Sequence, residues 1–211
     1  MPSTTLYLLR HAETTWNAER RIQGTLDAPL SERGARQVRA LVDALRDVRL
    51  SALYSSPLQR AMETAQPVVS AHALAVRVAD GLREIDQGEW ESRLLDEVRE
   101  SDGARLQAWW ASPDTVRMPG GETLGEVQRR AMRSVFEIAA GHAGETVAAV
   151  GHGGVNKTIL LALLGAPLAS YWRIRQHNAC INVVEFDGDL TRIITLNETS
   201  HLRDDTWHPL A

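Results

Sequence analysis

Two apolar, β-prone runs, residues 5–9 and 146–150, read as strands buried on both faces. Such strands belong inside a parallel sheet, and parallel neighbours need crossovers long enough to hold a helix. The chain between them supplies these crossovers. After Leu30-Ser31, a helical face is spaced on Val38, Leu41, Val42 and Leu45, and residues 52–55 form a short strand. A second helix carries Leu58, Ala61, Met62, Ala65, Val68 and Val69, with Pro67 set to kink or shorten it. Ser56-Pro57-Leu58-Gln59 predicts its start as a capping box, with Ser56 as N-cap. A third strand is expected at 74–78, then a polar loop at 81–90. Thr123-Leu124-Gly125-Glu126 opens another capped helix, and residues 155–164 an apolar one. Strands at 181–186 and 190–195 flank Asp187-Gly188-Asp189, a hairpin signal. The alternation predicts an α/β fold: a three-layer α/β/α sandwich, its central sheet mostly parallel with an antiparallel edge. Residues 1–211 read as a single domain. Residues 91–121 break the rhythm with an acidic helical stretch, Trp109-Trp110 and the loop Pro119-Gly120-Gly121, and read as a cap-like insertion.

Composition narrows the partners. The formal charge is −4 with no basic run, which argues against nucleic acid. The longest apolar stretch, 159–164, is too short for a membrane span. The first residues have no positive region followed by an apolar core, so a cytoplasmic protein is expected. Cys180 is the sole cysteine, which excludes an intramolecular disulfide and a cysteine-based zinc site. Of 23 basic residues, all but Lys157 are arginine. Nothing in the pattern decides between a monomer and a homodimer.

The first strand runs into Arg10-His11, and the strand at 146–150 into Gly151-His152-Gly153-Gly154. In open α/β sheets, ligands bind beyond the carboxyl ends of strands. Arg60 falls in a first helical turn, where free N–H groups and the helix dipole already favour an anion. Two imidazoles and two guanidiniums meeting at one sheet edge would suit phosphoryl transfer. Arginine binds phosphate oxygens through paired N–H groups at any working pH, and a neutral imidazole nitrogen can attack phosphorus.

The run Arg10-His11-Ala12-Glu13-Thr14-Thr15-Trp16-Asn17 resembles the signature of the histidine phosphatase superfamily, the phosphoglycerate mutase-like fold. The likeness continues through Gln23-Gly24, Leu30-Ser31-Glu32-Arg33-Gly34, Ser55-Ser56-Pro57-Leu58-Gln59-Arg60-Ala61, Arg83-Glu84 and Gly151-His152-Gly153, almost to Asn197-Glu198-Thr199-Ser200-His201. The resemblance implies His11 as nucleophile through Nε2, Arg10, Arg60 and His152 as the phosphate clamp, and Glu84 as the acid for the leaving group. It implies that Asn17, Gln23 and the backbone of Gly24 and Gly153 line the pocket. No metal and no cofactor are expected, since arginines supply the charge. Ala12 departs from the glycine most common after the histidine. The run Glu84-Ile85-Asp86-Gln87-Gly88-Glu89-Trp90-Glu91 looks like the phosphatase branch, which includes α-ribazole and broad-specificity phosphatases. The expected activity is therefore metal-independent hydrolysis of a small phosphorylated metabolite. The alternatives are a cofactor-dependent phosphoglycerate mutase and, more remotely, an inactive phospho-ligand binding module.

Plainer roles compete at each position. His11 and His152 could be hydrogen-bonded structural histidines, and Arg60 could pair only with Glu63 on its own helix. Asp80, Asp86, Glu89 and Glu91 crowd Glu84, and Asp86 is the substitute acid. Trp90, Trp109 and Trp110 serve either packing or an apolar leaving group, and Glu122 is a second-tier rim residue. His72, His142, His177 and His208 read as structural or exposed.

Overall fold

A computed structural model describes residues 2–202; His208 lies outside them. Strands β1 (Thr4–Arg10), β2 (Ala52–Ser55), β3 (Val76–Val78), β4 (Thr146–Gly151), β5 (Ile181–Asp187) and β6 (Leu190–Glu198) form one sheet, ordered β3-β2-β4-β1-β5-β6. The first four strands of that order are mutually parallel. β5 runs antiparallel to β1 and pairs with β6 as the hairpin. The helices are α1 (Thr15–Glu19), α2 (Glu32–Leu45), α3 (Gln59–Ala71), α4 (Leu95–Ala111), α5 (Leu124–Ala140) and α6 (Gly153–Leu163).

The strand pleat divides the core into two layers. Leu9, Leu53, Ala148 and Val150 pack with Leu41 and Leu45 of α2 and with Ala61 and Val68 of α3. Leu6, Leu8, Val147 and Ala149 face the other way, against Val127 and Val135 of α5 and Ile159 of α6. This is the expected three-layer α/β/α arrangement with an antiparallel edge. Trp90, Val98, Leu106, Trp109 and Met118 join that second core, so the segment that interrupts the alternation is packed into the main body.

Register places the site. β1 and β4 pair from Thr5 opposite Thr146 to Arg10 opposite Gly151. His11 and His152, each the next residue, therefore leave the sheet side by side.

The structure corrects local expectations. α3 begins at Gln59, with Leu58 as its N-cap and no cap from Ser56. The cap comes from across the fold: Asp27 accepts the N–H groups of Gln59 at 2.8 Å and Arg60 at 3.3 Å. Distant sequence thus satisfies donors usually met locally. β3 is shorter than residues 74–78. Ala73 at φ 54° and the bond from Leu74 N to Val69 O use those residues to end α3. α3 continues through the exposed Pro67. The short α1 has no apolar face to announce it; Thr14 and Asn17 build its capping box.

Candidate active site

His11 and His152 are both buried, their ring centroids 5.0 Å apart. The His11 backbone is tied down by its N–H to Gly151 O at 3.0 Å and by Ala179 N–H to its carbonyl at 3.1 Å. Its Nδ1 lies 2.7 Å from Ala12 O. A carbonyl can only accept, so Nδ1 carries the hydrogen and Nε2 keeps its lone pair. His152 is held the opposite way, with Nε2 at 2.7 Å from Ser56 Oγ. That hydroxyl also accepts Leu58 N–H at 3.3 Å and keeps its own proton available for Nε2. His152 Nδ1 is a buried atom without a partner among the described residues, and it carries the ring hydrogen when Ser56 donates to Nε2. Both rings have pKa values well below the ordinary histidine range, chiefly through burial and then through Arg60, with Arg10 adding to the effect. Both are neutral near pH 7.

The two arginines come from separate elements. Arg10, at the end of β1, donates Nη1 to Gln176 O at 2.5 Å. Gln176 is held by Asn182, which also donates to Leu8 O at 2.8 Å. Arg60 is fully buried in the first turn of α3 and donates to Leu26 O at 2.6 Å, Asp27 Oδ1 at 2.9 Å and Gly24 O at 2.7 Å. The sequence alternative of a local pair with Glu63 is not what forms: Glu63 bonds Gln59, and Arg60 pairs with Asp27. Nε of Arg10 and Nε of Arg60 are buried and without partners among the described residues. An unpartnered charged donor is costly to bury, and these two N–H groups are open to an anion.

Glu84 reaches the start of α6. Its carboxylate accepts N–H bonds from Gly154 and Val155 at 2.9 Å each and from Ile85 at 3.0 Å. Glycine is needed here because a Cβ on Gly154 would stand 2.5 Å from Glu84 Oε1. One on Gly153 would come within 3.2 Å of Arg10 Nε. Arg130 of α5 fixes the Glu84 loop by donating to the carbonyls of Gly81, Arg83 and Glu84 at 2.7–2.9 Å. Glu122 holds that arginine through both carboxylate oxygens at 2.8 Å and accepts Asp86 N–H, so it supports the loop. Asp86 accepts Gly88 N–H, a local turn contact.

The remaining expected residues divide. Asn17 accepts the N–H of Thr14 at 3.2 Å and the side-chain amide of Asn178 at 3.0 Å. Gln23 is buried, donating to Thr14 Oγ1 at 2.7 Å and leaving Oε1 without a partner among the described residues. Gly24 contributes its carbonyl to Arg60. Ala12 is fully buried, its N–H on Thr64 Oγ1 at 3.0 Å, so its methyl is part of the core. Asp27, Gln176 and Asn178 contact the site residues and carry no local sequence signal, and the signal at Ser56 points to a helix cap instead. Each works through a contact made only after long-range folding.

Trp90 is buried with Nε1 on Asp102 at 3.1 Å, whereas Trp110 is exposed. Trp109 packs against Tyr171 at 5.3 Å and Trp172 at 5.5 Å between ring centroids. His142 bonds Tyr54 and Glu145, and His177 bonds Asn197. No group of three or more metal-ligating side chains occurs among the described residues, and no helix there is long and apolar enough to cross a membrane.

The family model described as "Histidine phosphatase superfamily (branch 1)" matches residues 6–199. Phosphoserine phosphatase 1 of Hydrogenobacter thermophilus is 37% identical over 197 residues, covering 93% of each chain. The solved YhfR of Bacillus stearothermophilus superposes with a TM-score of 0.91 at 38% identity, covering 94% of this chain and 99% of that one. A mycobacterial glucosyl-3-phosphoglycerate phosphatase, solved with VO3, gives 0.84 at 30% identity over 92% and 99% of the two chains.

Proposed function

Since the chain belongs to the histidine phosphatase superfamily, branch 1, we propose that its phosphomonoester hydrolysis runs through a phosphoryl group carried on His11. Phosphomonoester hydrolysis is the reaction of this fold in its phosphatase-named relatives and is the activity of this chain. His11 Nε2, neutral and with its lone pair free, attacks phosphorus in line with the ester oxygen. The P–O ester bond breaks as the P–N bond forms. Nε–H of Arg10, Nε–H of Arg60 and Nδ1–H of His152 hold the equatorial oxygens, where negative charge is spread in the transition state.

Glu84 gives its proton to the departing alkoxide. Of its two oxygens, Oε2 accepts only the Gly154 N–H, which leaves a lone pair to carry that proton. Water then attacks the phosphohistidine, Glu84 takes the water's proton, and inorganic phosphate leaves with His11 restored. Asn17 and Gln23 line the phosphate pocket, and residues 91–121 cap it on the alcohol side. The expected substrate is a small phosphorylated metabolite of the cytoplasm.

The observation that carries this reading is the pair of buried neutral imidazoles with opposite nitrogens free, flanked by two guanidiniums whose Nε atoms lack partners among the described residues. The test is phosphate release, with EDTA present, from p-nitrophenyl phosphate, O-phosphoserine, 3-phosphoglycerate and α-ribazole phosphate. Rapid quench should trap an acid-labile, alkali-stable label that disappears in His11→Ala. No release from any ester refutes the reading. Primed conversion of 3- to 2-phosphoglycerate outrunning release would favour the mutase.

A further inference from the structure

Lys157 is the chain's one lysine among 23 basic residues, and the steps above make no use of it. It lies one helical turn beyond Gly153, the residue against which Arg10 rests, and so on the same face of α6. Helical side chains lean toward the N-terminus, which directs this one back toward the phosphate site. Its Nζ sits 4.6 Å from the ring centroids of both Tyr171 and Trp172, in the turn Leu168–Arg173 that crosses α6. Those rings meet edge to face, and Trp172 Nε1 donates to Trp109 O at 2.9 Å. Lys157 therefore stands where α6, the crossing turn and the inserted segment converge beside the phosphate site.

The ammonium makes no hydrogen bond or ion pair among the described residues, and the two ring faces are its only described contacts. Burial pushes it down to about 8, and Arg10 and Arg175 add to this against the opposing pull of Glu84. Its three N–H donors are unspent, on a strongly hydrated point charge that is half withdrawn from water. Aromatic faces compensate part of that cost and accept no N–H bond in the plane of a carboxylate. One positive charge with free donors matches one negative charge with free acceptors. Gly153 and Lys157 share one face of α6 a single turn apart, so a short alcohol portion bridges the two sites.

We propose that Lys157 binds a carboxylate on the alcohol portion of the substrate, which makes the preferred class short phosphomonoesters bearing a carboxylate; this rests on the phosphate site proposed above. The aromatic pair positions the ammonium, and Arg10 and Lys157 divide the substrate's two anionic ends between them.

O-phosphoserine and O-phosphoethanolamine differ only by the carboxylate and form the test pair. In the wild-type protein, kcat/KM should favour O-phosphoserine, mainly through KM. In Lys157→Met, which keeps an unbranched apolar stem on the rings, that preference should fall about 10- to 100-fold. Lys157→Arg should retain most of it. The ratio is taken within each protein, so a general loss of activity cancels. The same pair is titrated by calorimetry into His11→Ala and His11→Ala/Lys157→Met, where no turnover is needed. No preference in the wild type, or a preference unchanged in Lys157→Met, overturns the proposal. Selective binding that Lys157→Met abolishes, with no phosphate release from any ester, would uphold the subsite and sink the phosphohistidine reading.

Discussion

β1 and β4 are neighbouring parallel strands, each delivering a buried imidazole at its carboxyl end, yet the rings are fixed by opposite nitrogens. After β1 the chain enters a loop, where the carbonyl of Ala12 is free to take Nδ1–H of His11. After β4 it enters α6, whose backbone is committed to helix bonding, and His152 takes the hydroxyl of Ser56 beyond β2. The loop ring leaves Nε2 open and the helix ring leaves Nδ1 open. In the function proposed above, the ring that precedes a loop attacks and the ring that precedes a helix holds the phosphate.

That contrast breaks most visibly at His11. His11→Ala should lower kcat on the order of 10^5-fold, as loss of a covalent nucleophile does, measured by phosphate release with p-nitrophenyl phosphate. His152→Ala removes one donor to the equatorial oxygens and should cost about 10^2- to 10^3-fold in kcat while still forming the phosphohistidine label. Equal losses in the two variants would erase the distinction between them. Ser56→Ala frees the His152 tautomer and should reduce kcat roughly 3- to 10-fold. A change confined to KM would mean that Ser56 positions nothing in the transition state.

The smallest effect concerns stability, and here the two rings should behave alike. Each is neutral when folded, with its pKa depressed by burial first and then by Arg60, and titrates near 6.5 when unfolded. Below that value the unfolded chain binds protons that the native chain excludes. Stability should therefore fall as pH drops below 6.5, down to the depressed folded values, and level off above it. Each ring contributes a slope of at most about 1.4 kcal/mol per pH unit. Denaturant unfolding at several pH values should show that slope reduced in His11→Gln and in His152→Gln. A reduction in only one of them would show that the other ring is charged in the folded state.

Much of the fold is legible in order along the chain. Residues 5–9 and 146–150 announce themselves because a strand buried on both faces is apolar throughout, and the helices between them because their faces repeat every turn. The histidines and arginines stand out because they interrupt apolar runs at the points where strands end or helices begin. Ser56 shows the limit. Its spacing to Gln59 fits a capping box, yet the hydroxyl is taken by His152 and the helix is capped by Asp27. Local chemistry allowed both outcomes, and the parallel register of β1, β4 and β2 selected one.

The sequence by itself determined the layers, the direction of most strands, and which residues bring guanidinium and imidazole groups to the sheet edge, because these depend on periodicity and side-chain type. Only the tertiary structure decided which nitrogen of each imidazole is free, that Arg60 pairs with Asp27 and not Glu63, and that Lys157 stands over two aromatic rings beside Arg10. Those outcomes rest on hydrogen bonds and contacts of a few ångströms between segments far apart in the chain, and such distances exist only once the sheet has closed its register.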